Sequence, residues 1–407
     1  MATPTRSLPE IRPLDDATSR DLWNWILRRQ GLAEETRLDS VESIARASLG
    51  LHAARLPSPF ATVAARSTGS DVATSLFAQR TRDRVMTVRC MRKTLHTLPL
   101  DLAGVAHAAT RHYRERDALR AVVNGRESLA DVEAAADDLA ALLAAHGPLH
   151  HRDIEARLAA CAIGTARSRL ALKLAWERGD IAYLNASDSW NRELRTFALT
   201  KQIYPEADLG LDRMSATVRL VESYFDRYGP ASLADAVWWS ALSRASVMDA
   251  LARSGREVAA VTTSWSQQPQ YMFADRLEEF LSTRAVGQGD GVNLLAHEDV
   301  ALKAYFETRQ RYLGSLPARR AFNQIGEVLP TVLHSGQVIG TWAWDSAKRR
   351  VATSLVSGAS TLEVRRAVRA RADLLTQVLR CGWASSRSDR TVPIPGQLSL
   401  LPQHGSA

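Results

Sequence analysis

Cysteine is scarce: Cys90, Cys161 and Cys381 stand far apart in a chain of 407 residues. An odd number at such spacing argues against a disulfide framework or a cysteine-built zinc site, and it fits a reducing compartment. Long apolar runs are also missing. No stretch of about eighteen apolar residues occurs, so no membrane-spanning helix is expected. The opening MATPTRSLPEIRPLDD lacks the apolar core of a secretory signal, and a cytoplasmic location is the expectation. The ten histidines show no HExxH-type spacing; His150-His151, beside a Gly-Pro turn, is expected at the surface and not on a metal. No metal and no cofactor is therefore expected. Lysine is nearly absent as well. Five of the 52 basic residues are lysine and 47 are arginine, a pattern that in an alanine-rich chain reflects GC-rich coding and makes part of the basic character incidental.

What is present is positive charge in one place. The net charge is +8, and residues 80–120 hold ten Lys/Arg against four Asp/Glu, so +6 of it lies in a tenth of the chain. Such a concentration is the electrostatic footprint of a phosphate-backbone partner. Length allows two to four small domains with proper cores.

A weak internal repeat organises the middle of the chain. One copy reads LAALLAAHGPLHHRDIEARLAA, the other VESYFDRYGPASLADAVWWSALSRASVMDALA. In each, an amphipathic helix ends at a Gly-Pro pair, Gly147-Pro148 or Gly229-Pro230; glycine closes a helix in the left-handed region and the following proline cannot continue it. Ser232 with Asp235 three residues on, and then Ser243, predict two successive helix N-termini across a tight break. Each copy then runs into a predicted hairpin. The first is Gly179–Leu184 with Glu193–Leu199; the second is Glu257–Thr263, a turn SWSQQPQ, and Tyr271–Phe273. Helix, helix, helix, hairpin is the order of a winged helix. A less distinct first copy covers residues 19–100, with helices near Arg20–Arg29 and Val41–Leu49 and strands near Arg84–Arg92 and Thr94–Leu98. Near the end, Pro330–Leu333 and Gln337–Trp342 read as a hairpin. A strand Arg350–Leu355 follows the charged turn Asp345–Arg349, and a helix at about Thr361–Leu379 carries Arg365, Arg366, Arg369 and Arg371. The expected class is mainly α with short β-hairpins. The expected divisions are a flexible arm, 1–17; three units, 18–125, 126–210 and 211–290; a hairpin-and-helix region, 291–385; and a flexible tail, 386–407.

Four stretches occur in order over residues 19–380. They are Leu49-Gly50-Leu51-His52-Ala53-Ala54, followed by Pro57-Ser58-Pro59-Phe60 and Ala65-Arg66; Met91-Arg92-Lys93-Thr94-Leu95-His96; Tyr228-Gly229-Pro230-Ala231 through Trp239-Ser240; and Gly336-Gln337-Val338-Ile339-Gly340-Thr341-Trp342. Together they resemble the AlkZ/YcaQ family of bacterial winged-helix DNA glycosylases. The resemblance implies three tandem winged-helix units around a concave basic cleft sized for duplex DNA. It also implies hydrolysis of the N-glycosidic bond of alkylated purines, including bulky adducts made by antibiotics, and a β-hairpin that engages DNA, for which 257–273 and 331–342 are candidates. The expected partner is duplex DNA bearing alkylated or bulky purines, with the protein acting as a monomer near the nucleoid.

The sequence departs from the family where its glutamine–apolar–glutamine motif is expected, here His52-Ala53-Ala54. A second family pattern appears as Leu294-Leu295-Ala296-His297-Glu298-Asp299 and keeps the terminal acid. Alkylation at N7 or N3 makes a purine cationic and a good leaving group, so the enzyme mainly needs to hold a water at the anomeric carbon and face an oxocarbenium-like sugar. A neutral imidazole at His52 suits the water, and a carboxylate at Asp299 or Glu298 suits the cation. Arg55, Arg66, Arg92, Lys93 and His96 are the expected DNA contacts. No lysine is placed to suggest Schiff-base lyase chemistry, which points to a monofunctional enzyme. The small Ala53-Ala54 pair suggests room for a bulky N7-guanine adduct, as in antibiotic self-resistance. Because Ala54 neither donates nor accepts a side-chain hydrogen bond, the alternative is a non-catalytic winged-helix DNA-binding or regulatory protein; a protein-interaction scaffold is a third reading.

Overall fold

The computed structural model describes residues 9–283, 291–314, 316–356 and 361–383. The expected tail, 386–407, lies outside them. Two compact units emerge: Met1–Leu38 with Ala47–Leu49 and Val218–Asp373, and Asp39–Arg46 with Gly50–Thr217 and Leu374–Ala407. This division differs from the one expected at 18–125, because the helix Asp16–Arg28 belongs with the later segment. The reason is its apolar stripe. Leu22, Trp23, Ile26 and Leu27 are all buried, and the Trp23 ring meets Tyr305 and Tyr312 with centroids 5.9 and 6.3 Å away. The expected flexible arm is ordered where it is described: Ile11–Pro13 forms a strand parallel to Val258–Thr263.

The Gly50–Thr217 unit holds two three-stranded sheets. In one, Leu95–Pro99 lies between Leu51–His52 and Val85–Arg89. In the other, Arg195–Leu199 lies between Leu149–His150 and Ile181–Asn185. The helices Leu129–His146, His151–Ala160 and Thr165–Arg178 precede the second hairpin, in the predicted order. Gly147, at φ +72°, closes the first of them through its N–H to the Leu143 carbonyl. Leu139, Leu143, Ile154, Leu158, Tyr183 and Phe197 fuse these helices to the hairpin in one buried cluster. Removing such side chains from water supplies most of the driving force.

In the Val218–Asp373 unit the same order recurs: Arg213–Tyr228, Leu233–Ser240, Arg244–Arg253, then Val258–Thr263 paired with Ser266–Phe273. The predicted capping box is present, with the Ser232 side chain accepting from the Asp235 N–H and the Asp235 side chain accepting from the Ser232 N–H. The predicted long turn SWSQQPQ is instead two residues, Ser264-Trp265, because Ser266–Gln270 extends the strand and the Gln270 amide donates to the Thr263 hydroxyl across it. A four-stranded antiparallel sheet follows, ordered Val292–Leu295, Thr331–His334, Gln337–Asp345, Arg350–Leu355. The last helix among the described residues is Leu362–Cys381. Among the described residues no helix is long and apolar enough to cross a membrane.

Candidate active site

The chain reaches His52 by a turn that only glycine accepts readily. Gly50 sits at φ +105°, and a Cβ there would lie 3.0 Å from Leu98 Cδ2. Leu51 and His52 then pair with Thr97 and His96. This places the two imidazoles side by side, edge to face, with centroids 5.4 Å apart. Both are buried, His52 at 3% and His96 at 2% exposure. His96 Nδ1 also lies 3.5 Å from Cys90 Sγ. The backbone climbs out immediately afterwards: Ala53 is half-buried and donates its N–H to the Leu95 carbonyl, while Ala54 and Arg55 are exposed.

Beside Ala53 lies a cavity of about 120 Å³. Leu56 and Phe60 come from the same segment, while Arg82, Tyr183 and Trp190 come from far along the chain. The Phe60 and Phe77 rings meet at 4.8 Å. Arg82 donates from Nη2 to the Asn185 carbonyl at 2.7 Å, and burial holds its pKa below the usual arginine range. Sequence reading missed this cavity; its only local signal was the tryptophan in the NASDSWN turn.

A model of the AlkZ-like DNA glycosylases matches residues 45–380. The chain belongs to the AlkZ-like DNA glycosylase family. It also superposes on the Streptomyces sahachiroi DNA glycosylase AlkZ with a TM-score of 0.70 at 19% identity, covering 89% of this chain and 97% of that one. At that identity the match speaks for the fold. No curated protein sequence matches the chain. The matched range includes the His52-Ala53-Ala54 segment.

The other expected site residues are distributed differently. Glu298 and Asp299 lie in the Val218–Asp373 unit, and His52 in the other. Asp299 is fully buried and caps the helix Val300–Lys303, accepting from the Ala301 N–H at 3.0 Å. Glu298, 5% exposed, accepts from the Val328 N–H at 2.7 Å and pairs with Lys303. Both carboxylates thus have structural work. Among the expected DNA contacts, Arg55 and Lys93 are exposed and Arg92 is half-buried. Arg66 and His96 are corrections: Arg66 is fully buried and donates to the Thr62 carbonyl, and His96 lies inside the sheet, so neither faces a phosphate. Part of the charge in 80–120 is paired within the protein, in the core at Arg114 and at the surface elsewhere. Arg89 and Arg114 pair with the buried Glu177, Arg84 with Glu42, Arg111 with Glu115, and Lys93 with Asp117.

The two hairpins expected to engage DNA have their tips on the helix Asp16–Arg28. The Ser264 N–H donates to the Ser19 hydroxyl at 3.1 Å, and Trp23 Nε1 donates to the Gly336 carbonyl at 2.7 Å. The next hairpin, Gln337–Asp345 with Arg350–Leu355, has an exposed basic tip that presents Lys348, Arg349 and Arg350. Its charge was legible as a turn, but the second strand's pairing was not.

Proposed function

We propose that this AlkZ-like DNA glycosylase hydrolyses the N-glycosidic bond of N7- or N3-alkylated purines in duplex DNA, working as a monomer without a lyase step. Winged-helix units supply the duplex surface, and the exposed Lys348–Arg350 tip joins them on the phosphate backbone. The observation that carries this reading is the family match over residues 45–380, within which the His52-Ala53-Ala54 segment, the one that resembles the family's motif, surfaces with Ala53 beside an aromatic cavity.

The chemistry suits these residues. The alkylated base leaves as a neutral purine, so no strong general acid is needed. What remains is to orient a water toward the anomeric carbon and remove its proton. In this reading the His52 imidazole takes that task. The methyl of Ala54 leaves the main chain to complete the water's hydrogen bonds. His52 is buried, so in this reading water and sugar approach it from the side of Ala53 and Ala54, where the chain surfaces. The cavity sets a size rule. A dry hole of about 150 Å³ holds benzene, and about 120 Å³ is near the size of one ring of an N7-guanine appendage.

The test is incubation with duplexes carrying N7-methylguanine or a one-ring N7-guanine adduct, then analysis with and without alkali. Strand breaks that appear only after alkali support hydrolysis without lyase action. Intact strands after alkali in both duplexes overturn the reading.

A further inference from the structure

The Val218–Asp373 unit carries a second cleft, of about 550 Å³, within the size range of ligand sites. Two turns and two helices build it. Trp265 comes from the Ser264-Trp265 turn and Gln337 from the following hairpin. Arg20 and Trp23 come from the helix Asp16–Arg28, and Gln310 and Arg311 from Gln310–Leu313. The two hairpin tips expected to grip DNA are thus walls of a shared cavity. Among the described residues no acidic side chain lines it.

Arg311 gives the cleft its character. It is 2% exposed, and all its acceptors are neutral: Nε donates to the Thr308 carbonyl at 3.2 Å, and Nη2 to the Pro230 carbonyl at 2.9 Å, the Gln270 amide oxygen at 3.1 Å and the Thr308 hydroxyl at 2.7 Å. Nη1 has no hydrogen-bond partner among the described residues. The carboxylate at hand, Asp235, is already filled. It accepts from the backbone N–H groups of Ser232, Phe306, Glu307 and Thr308 and from the Thr308 hydroxyl, and takes nothing from Arg311. A buried cation normally has a directly bonded anion, because desolvation without one is costly. Arg311 instead lies against ring faces, 3.7 Å from the Tyr305 centroid and 4.8 Å from that of Trp265. Arg20 adds an exposed second guanidinium, which forms no ion pair among the described residues. The half-buried Trp265 indole is fixed by its N–H to the same Gln270 oxygen, at 2.7 Å.

Two guanidinium groups, no competing acid, a fixed indole and two amide side chains form a set that matches a flat ring joined to a phosphate. We propose that this cleft binds a nucleotide, its phosphate drawn to Arg20 and Arg311, its base stacked on Trp265, and its edge met by Gln310 and Gln337. The same chemistry is offered by a free nucleotide and by one unit of a DNA strand. This inference uses no residue of the His52 site and stands apart from the glycosylase reading.

The test uses the full chain. Calorimetric titration with dGMP is compared with deoxyguanosine and with inorganic phosphate, and a labelled short single strand is followed by anisotropy. Two variants are made: Arg20→Gln at the exposed rim, and Trp265→Leu, which changes no charge. For a free nucleotide, dGMP binds saturably, and its affinity falls about tenfold in Trp265→Leu and about threefold in Arg20→Gln. For a strand-borne nucleotide, dGMP is silent, but single-strand affinity falls about tenfold in Trp265→Leu. Thermal unfolding of each variant is followed alongside; if Trp265→Leu does not fold, Arg20→Gln alone decides, through the dGMP or the strand affinity. Either pattern supports the cleft and names its source. Binding of dGMP that neither variant changes, or no dGMP binding with an unchanged strand affinity, overturns it.

Discussion

Acid should unfold this protein partly through a single imidazole, His107. Its ring is 1% exposed. Arg114 Nη2, which can only donate, lies 3.1 Å from Nδ1, so Nδ1 accepts; Nε2 therefore carries the hydrogen and donates to the Arg178 carbonyl at 3.3 Å. A second proton would place an N–H against a guanidinium inside the core. Burial, and then the charge of Arg114, push the His107 pKa down to about 3 from an ordinary 6.5. Below pH 6.5 the unfolded chain takes up a proton that the folded chain refuses until about pH 3. Stability is therefore complete above 6.5 and falls as pH drops, by about 1.4 kcal/mol per pH unit. Between pH 6.5 and 4.5 the loss from this group is about 2 kcal/mol. The assay is urea unfolding at stepped pH for the wild type and His107→Gln, whose amide offers an acceptor and a donor but does not titrate in this range. Carboxylates titrate in both proteins and cancel in the difference. The variant's pH dependence should be shallower by about that amount. Equal slopes would refute the assigned tautomer and the burial argument together.

Other perturbations probe separate parts of the account. Glu177→Ala leaves the buried Arg114 without its carboxylate and should cost about 3–5 kcal/mol in urea unfolding. Ala53→Leu projects into the 120 Å³ cavity; release of a one-ring N7 adduct should fall about tenfold while N7-methylguanine release stays within about twofold, as single-turnover assays of the two substrates will show. Replacing Lys348 and Arg350 together with glutamine should weaken duplex binding and lower the slope of log affinity against log salt by about 2, measured by anisotropy at several salt concentrations.

The sequence was most readable where punctuation is local. Gly147 and Gly229-Pro230 end helices where expected, though only Gly147 does so at positive φ; Ser232 with Asp235 forms its cap, and the two repeat hairpins fall where they were expected. What depends on a distant partner was hidden. His52 lies in a two-residue strand because it pairs with His96, and nothing within two residues announces that. Asp299 resembles the terminal acid of the family's pattern, yet the fold uses it to cap Val300–Lys303, and uses Glu298 beside it to hold Lys303. The dense charge at 80–120 pointed outward to a phosphate partner. Four of its nine arginines turn instead to Glu177, Glu115 and Glu42, partners that lie close in the fold or four residues along the same helix.

The central claim is that His52 directs water onto the anomeric carbon of an alkylated purine nucleotide. The most direct measurement is the single-turnover rate of N7-methylguanine release from duplex DNA by the wild type and His52→Ala, with folding and duplex affinity checked in the same preparations. The account predicts a rate lower by about a hundredfold or more at unchanged affinity. A folded His52→Ala that releases the base at the wild-type rate would contradict it.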